Sequence, residues 1–232
     1  MPTGYSKSPL LLKGALIQVK DTLLGPQPTV VSFQYNPETL SRKMEPWQPD
    51  QPKDGQGGQT AGQSQPYDPQ ETIDLTLVLD ASDALEDPDS NAVVAVSGIA
   101  GRLAALELLL YPTSDAGGLL ADAFSALTGG ADAVPRSEVP VVLFSWGPGR
   151  IVPVRVTSFA IEEQAFSPTL YPIRAQVSLG LKVLTDAAFP EPRTLAEELA
   201  VAAYKYTKKQ RDLLAEASIM NSLDALTSLL PI

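Results

Sequence analysis

The 232-residue chain contains no cysteine and no histidine. The first absence removes disulfides, thiolate metal sites and cysteine nucleophiles. The second removes the commonest general base and metal ligand near neutral pH, and with it Ser-His-Asp catalysis and ordinary zinc sites. Positive charge is scarce as well: 17 Lys and Arg stand against 27 Asp and Glu, a net charge of −10. A nucleic-acid-binding protein needs a basic footprint to displace counterions, and none is visible. Lys205, Lys208, Lys209 and Arg211 form the only basic cluster, diluted by Asp212 and Glu216, and read as a solvated helix face. No run reaches the roughly 20 apolar residues of a spanning helix. The opening MPTGYSKSPLLLKG lacks the apolar core of a signal peptide. The expectation is a soluble protein made in the cytoplasm, long enough to bury roughly 70% of its unfolded surface.

What is present is alternation. GALIQVK (14–20) reads as a first strand, Gly25-Pro26 as a turn, and residues 29–35 as a second strand. Asn36-Pro37-Glu38 then interrupts, with the residue types of one helical turn, before Leu40, Arg42 and Met44 resume the alternation. TIDLTLVLD (72–80) places Ile73, Leu75, Leu77 and Leu79 on one side. IRAQVSLGLKV (173–183) does the same with six apolar residues. VVLFSWGPGRIVPVRV holds two further strands about a turn at Gly147–Arg150, with Pro140 and Pro153 marking strand starts or edges.

Between the strands, Ala92, Val96, Ile99, Leu103, Leu106 and Leu110 describe one face of a helix capped by Ser90 or Asn91. DALEDPDSN reads as an acidic linker; Asp87 and Asp89 lack the glycine and distal glutamate of a calcium loop. Residues 113–138 read as a connection with a weak helix around GLLADAFSAL. The Gln/Gly/Pro-rich stretch at about 46–70 cannot bury enough apolar surface to fold by itself. It reads as a flexible loop, or as a segment ordered by a neighbouring subunit with Trp47 and Tyr67 as anchors. At the end, Thr194 and Glu197 form a capping box for the helix TLAEELAVAAYKYTKKQ; a second helical piece, RDLLAEASI, and then Leu223, Leu226 and Leu230 follow. The pattern gives a mainly β, antiparallel body with one packed helix, at 1–190, and a helical tail at 191–232.

Nothing in this pattern assembles a catalytic set. Glu162 and Glu163 are adjacent on a strand and point to opposite faces. Glu197 and Glu198 sit in a first helical turn, where acids suit the dipole. Ser145 in FSWGPG lacks the Gly-x-Ser-x-Gly elbow, and no phosphate-cradling glycine loop occurs. The expectation is no enzyme, no cofactor and no metal.

FQYNPETLSRKMEP at 33–46 resembles the N-terminal signature of the contractile injection system tube-protein family. ETIDLTLVLD, LELLLYP, PVVLFSWG and FSPTLYPIRAQVSLGLKV follow in that family's order, across residues 14–184. The resemblance implies a tube-protein-like antiparallel β-sandwich or barrel of two sheets with one packed helix. It implies a homo-oligomeric ring of six copies, whose strand edges pair with neighbouring copies and whose polar strand faces line a lumen. The tail resembles the helical middle of a LysM module, without the usual Gly-Asp before its first helix or the glycine-bearing loop between its helices. In baseplate adaptors of such particles a module of this kind follows the tube-like domain. The expected partners are therefore an inner tube protein, a spike or hub protein and baseplate wedge components, within a contractile particle kept in the cell or released. Trp47, Tyr67, Tyr204, Tyr206 and Leu213 are the expected contact residues. An inner tube subunit and a cell-wall-binding module built on the tail are the alternatives.

Overall fold

The computed structural model describes residues 12–22, 25–46, 67–111 and 140–229. Trp47, most of the Gln/Gly/Pro-rich stretch and the weak helix expected near 118–127 lie outside them. The fold is mainly β, as expected. The strands are β1 (Ala15–Thr22), β2 (Gly25–Ser32), β3 (Leu40–Glu45), β4 (Gln70–Asp80), β5 (Val141–Ser145), β6 (Ile151–Phe166) and β7 (Pro172–Val183). The α-helices among the described residues are α1 (Ser82–Leu85), α2 (Ala92–Ser97), α3 (Ala100–Glu107) and α4 (Leu195–Leu229), with a short 3-10 turn at Asp186–Ala188. All strand pairings are antiparallel, in the order β2-β1-β5-β6-β7-β4-β3. The two expected sheets are thus one continuous sheet of seven strands.

That sheet has to curl. Its two edge strands, β2 and β3, are consecutive in the chain and joined only by residues 33–39. Laid flat, seven strands would put these edges about 29 Å apart, the whole reach of a fully extended link of this length. Curling closes the distance and lets Leu16 of β1 share one core with Ile73 of β4 and Phe144 of β5. On β4, Ile73, Leu75, Leu77 and Leu79 are buried while Asp74 and Thr76 are exposed, so the alternation in the sequence translates directly into a face. β5 has no such alternation because both its faces are covered. Val142 and Phe144 join the main core; Leu143 packs with Val19, Phe189, Ala196, Ala200 and Val201 under the start of α4.

Several elements differ from expectation for identifiable reasons. Gly25 and Pro26 open β2 instead of forming a turn. Being on an edge strand, Pro26 and Pro28 leave no central ladder bond unmade. The single expected helix is two, broken at Gly98, whose φ is +56°. A Cβ there would collide with the Pro172 carbonyl oxygen, the same oxygen that accepts from Ile99 N–H at 2.9 Å. Of the expected stripe, Ile99, Leu103 and Leu106 are buried; Val96 and Leu110 are exposed, and Leu109 takes the next buried position. Asn91 occupies the N-cap of α2 without a side-chain cap bond. The linker expected at 83–91 begins within α1. In the tail, the two expected helical pieces are one uninterrupted helix of 35 residues. Its capping box forms as read: Thr194 N–H donates to Glu197 Oε2 at 2.8 Å, and Glu197 N–H to Thr194 Oγ1 at 3.3 Å.

Candidate functional site

The segment that leads from β2 to β3 fastens three parts of the fold through successive side chains. Phe33 is buried against Phe144 and Trp146, each ring centroid 6.4 Å away. Gln34 closes a two-bond ring with the end of β4, donating from Nε2 to Asp80 O at 2.6 Å and accepting Asp80 N–H at 3.0 Å. The Tyr35 hydroxyl donates to Asp83 at 3.2 Å. Asn36 makes no helical turn. Its amide instead donates to Leu12 O and accepts from Gly14 N–H, both at 2.8 Å, holding the chain as it enters β1. Gly14 is required there, since a Cβ would stand 2.7 Å from the Phe33 ring and 2.8 Å from that of Trp146.

A second set of contacts clasps α4 to the sheet. Thr207 is buried, donating to Ile151 O at 2.6 Å and accepting Ile151 N–H at 3.0 Å. Tyr206 donates to Pro148 O at 2.9 Å. Of the basic cluster expected as a solvated face, Lys205 and Lys208 are exposed as read, but they and Arg211 also pair with acids. Lys205 meets Asp186 at 3.1 Å, Lys208 meets Asp68 at 2.7 Å and Arg211 meets Glu71 at 2.7 Å. These acids come from segments remote in sequence, so local composition could not reveal the pairing. Glu71 also takes Arg42 of β3 at 2.7 Å on its other oxygen. Burial pushes the Glu71 carboxyl up, but the two arginines outweigh it and hold its pKa below the ordinary range. The Lys208 hydrogen bond does the same for Asp68. Burial first, and then the bond donated to Asp68 at 2.9 Å, push the Tyr204 phenol up to about 12.

Beside this clasp a pocket of about 180 Å³ opens between α4 and the sheet, with Val152 and Val183 in its wall and Met44, Lys208 and Arg211 among its lining. A shallower depression of about 330 Å³ lies on the outer face, lined by small polar groups such as Ser41, Asp74, Thr76, Ser158 and Ser178. Gly180 keeps this face flat, because a Cβ there would overlap Ser158 Oγ.

Among the expected contact residues, Tyr67 is 60% exposed, Leu213 is 49% exposed and Tyr206 is exposed at its edge. Tyr204 is half-buried, with its hydroxyl directed to Asp68. Sequence reading missed Glu71, although a signal existed. Glu71 shares the inward phase of Ile73, Leu75 and Leu77, and an acid in that phase demands a buried partner. Glu162 and Glu163 are exposed on β6, and among the described residues no group of three or more acids is placed to hold a metal.

The model of the contractile injection system tube proteins matches residues 11–189. The chain belongs to that family. The match spans β1 to β7 and the fastening segment at 33–36, and it ends before α4 begins. Among curated proteins no significant match to this chain is found. The tube-protein family is structural rather than enzymatic, so this chain is a structural protein of a contractile injection system. No helix among the described residues is long and apolar enough to cross a membrane.

Proposed function

We propose that this tube-family protein forms a ring of six copies that adapts the inner tube to the spike or hub of the machine. The observation that carries this reading is α4, a 35-residue helix lying wholly outside the matched family span and clasped to the sheet by Thr207, Lys208 and Arg211. A subunit that only repeats along a shaft has little use for such an addition, whereas a subunit meeting a different partner on one side does. The polar outer face around Gly180, lined by small side chains, suits the wet lumen of a ring. In this reading Tyr206, Leu213 and the 47–66 segment with Trp47, next to Tyr67, meet the neighbouring tube, hub and wedge proteins. The tail serves docking rather than glycan binding, because an unbroken helix lacks the loop between helices that a LysM module uses.

The test is electron microscopy of the parent particle with a label fused to the C-terminus of this chain. One labelled ring at the junction of tube and hub supports the adaptor. Label repeated along the shaft would establish the tube subunit, the reading favoured by the family match taken alone. Binding to purified peptidoglycan that survives in the monomer, together with particle assembly that tolerates loss of α4, would establish a cell-wall module.

A further inference from the structure

The β6–β7 hairpin turns through Ser167–Tyr171, closed by Ser167 N–H to Tyr171 O at 2.8 Å and Leu170 N–H to Ser167 O at 2.9 Å. A three-residue hairpin of this kind needs one residue in the left-handed region, usually glycine or asparagine. Here that residue is Leu170, at φ +64°, the only described non-glycine residue with positive φ. It is also 80% exposed. A leucine in a backbone region it seldom adopts, displayed to solvent, gains nothing for the isolated fold. Exposed Phe166 and Tyr171 flank it. The excursion from β4 to α3 leaves beside Ile173, through Ala81 N–H at 2.9 Å, and returns beside Pro172, through Ile99 N–H at 2.9 Å. Both anchor points of the excursion thus lie at the base of the hairpin, with exposed Val93 and Val96 and the acidic turn Glu86–Asp89 in the chain between them.

The opposite end of β4 has the complementary character. Glu71 lies nine residues from Asp80 on that strand, about 30 Å away. Around Glu71 stand Arg42, Lys208 and Arg211, with Arg150 close enough to feel their charge. These cations outnumber the nearby carboxylates Asp68, Glu71 and Asp212 in a chain of net charge −10. The pocket of about 180 Å³ beneath α4 opens here, with Val152 and Val183 in its wall and exposed Met44 in its lining. A cavity of about 150 Å³ is enough for a benzene-sized guest, so this one has the room for a leucine side chain against Val152, Val183 and Met44, inside a rim of charged groups.

We propose that Leu170 is the knob of a head-to-tail contact whose hole is the pocket beneath α4 in a second copy of this chain. The acidic turn of the excursion then faces the arginines beside the hole. A contact between two different patches leaves each copy with one knob and one hole free, so it propagates into a ring or a stack rather than ending at a dimer. The proposal rests on the assembly reading above and specifies the contact that reading needs.

The absence of cysteine from the chain makes the test direct, because introduced thiols are the only ones. Full-length Leu170→Cys, Met44→Cys and the double variant are oxidised after assembly and run under denaturing, non-reducing conditions. The double variant is expected to give covalent dimers and higher multimers, while each single variant stays monomeric. Leu170→Gly, which relieves the left-handed strain, is expected to keep the melting temperature and weaken self-association at least tenfold by sedimentation. A sample that sediments as an assembly yet gives no double-variant crosslink overturns this contact and leaves the assembly reading standing. Crosslinking of Leu170→Cys with itself overturns it equally. A wild-type chain that stays monomeric at every concentration overturns both.

Discussion

Glu71 and Arg211 are 140 positions apart in sequence and 2.7 Å apart in space. The Glu71 side chain is 4% exposed and binds Arg42 through its second oxygen, so one carboxylate joins β3, β4 and α4. Replacing Glu71 with alanine leaves two arginines facing each other without their anion. Both keep some contact with water, which moderates the cost to about 2–3 kcal/mol. Urea denaturation is expected to show that loss. Amide exchange is expected to rise first along α4.

The same clasp sets a pH dependence with two limbs. Glu71 and Asp68 titrate lower in the folded chain than their ordinary values of 4.5 and 3.8. Their stabilisation is therefore complete above those values and disappears as the pH falls through the lower folded ones. Tyr204 is shifted the other way, so its contribution is complete below 10 and disappears as the pH rises toward about 12. With no histidine to titrate between the limbs, the urea midpoint is expected to be level from about pH 6 to 9. Glu71→Gln should make the acid limb shallower, and Tyr204→Phe the alkaline one.

Two glycines near α3 are expected to respond oppositely to alanine. At Gly98 the left-handed φ and the Pro172 carbonyl both reject a Cβ, so Gly98→Ala should cost more than about 2 kcal/mol. Gly101 lies inside α3 with nothing within 4 Å of a Cβ, and Gly101→Ala should stabilise by about 0.5–1 kcal/mol. Melting temperatures of the two variants moving in the same direction would contradict this account.

Thr207→Val keeps shape and volume while leaving both backbone groups of Ile151 without their partner. Stranding a buried N–H and C=O in this way costs about 2–3 kcal/mol. Thr207→Ser, which restores the hydroxyl, should recover most of it. Chemical denaturation of the three proteins side by side measures the difference.

The legible parts of this fold were those governed by one-dimensional periodicity. β4 and β7 alternate because one of their faces is wet, and Thr194 with Glu197 announces a helix start within four residues. Gly98 escaped notice because the apolar steps of three and four continue smoothly across it. Only the approach of Pro172, 74 positions later, forces the break. Asn36 carries helix-start chemistry, and its bonds to Leu12 and Gly14 override that local preference. The same holds for the basic face of α4, whose counter-charges on Asp68, Glu71 and Asp186 converge only when the chain folds. The candidate site was thus visible as residue types and invisible as partners.

The uninterrupted run of α4 also has a mechanical consequence. From Arg211 to Leu229 the helix continues for 18 residues, about 27 Å of rod at helical rise. A pull or twist delivered at its tip is not absorbed by a hinge. It arrives with leverage at Glu71, and through Arg42 at the edge of the sheet.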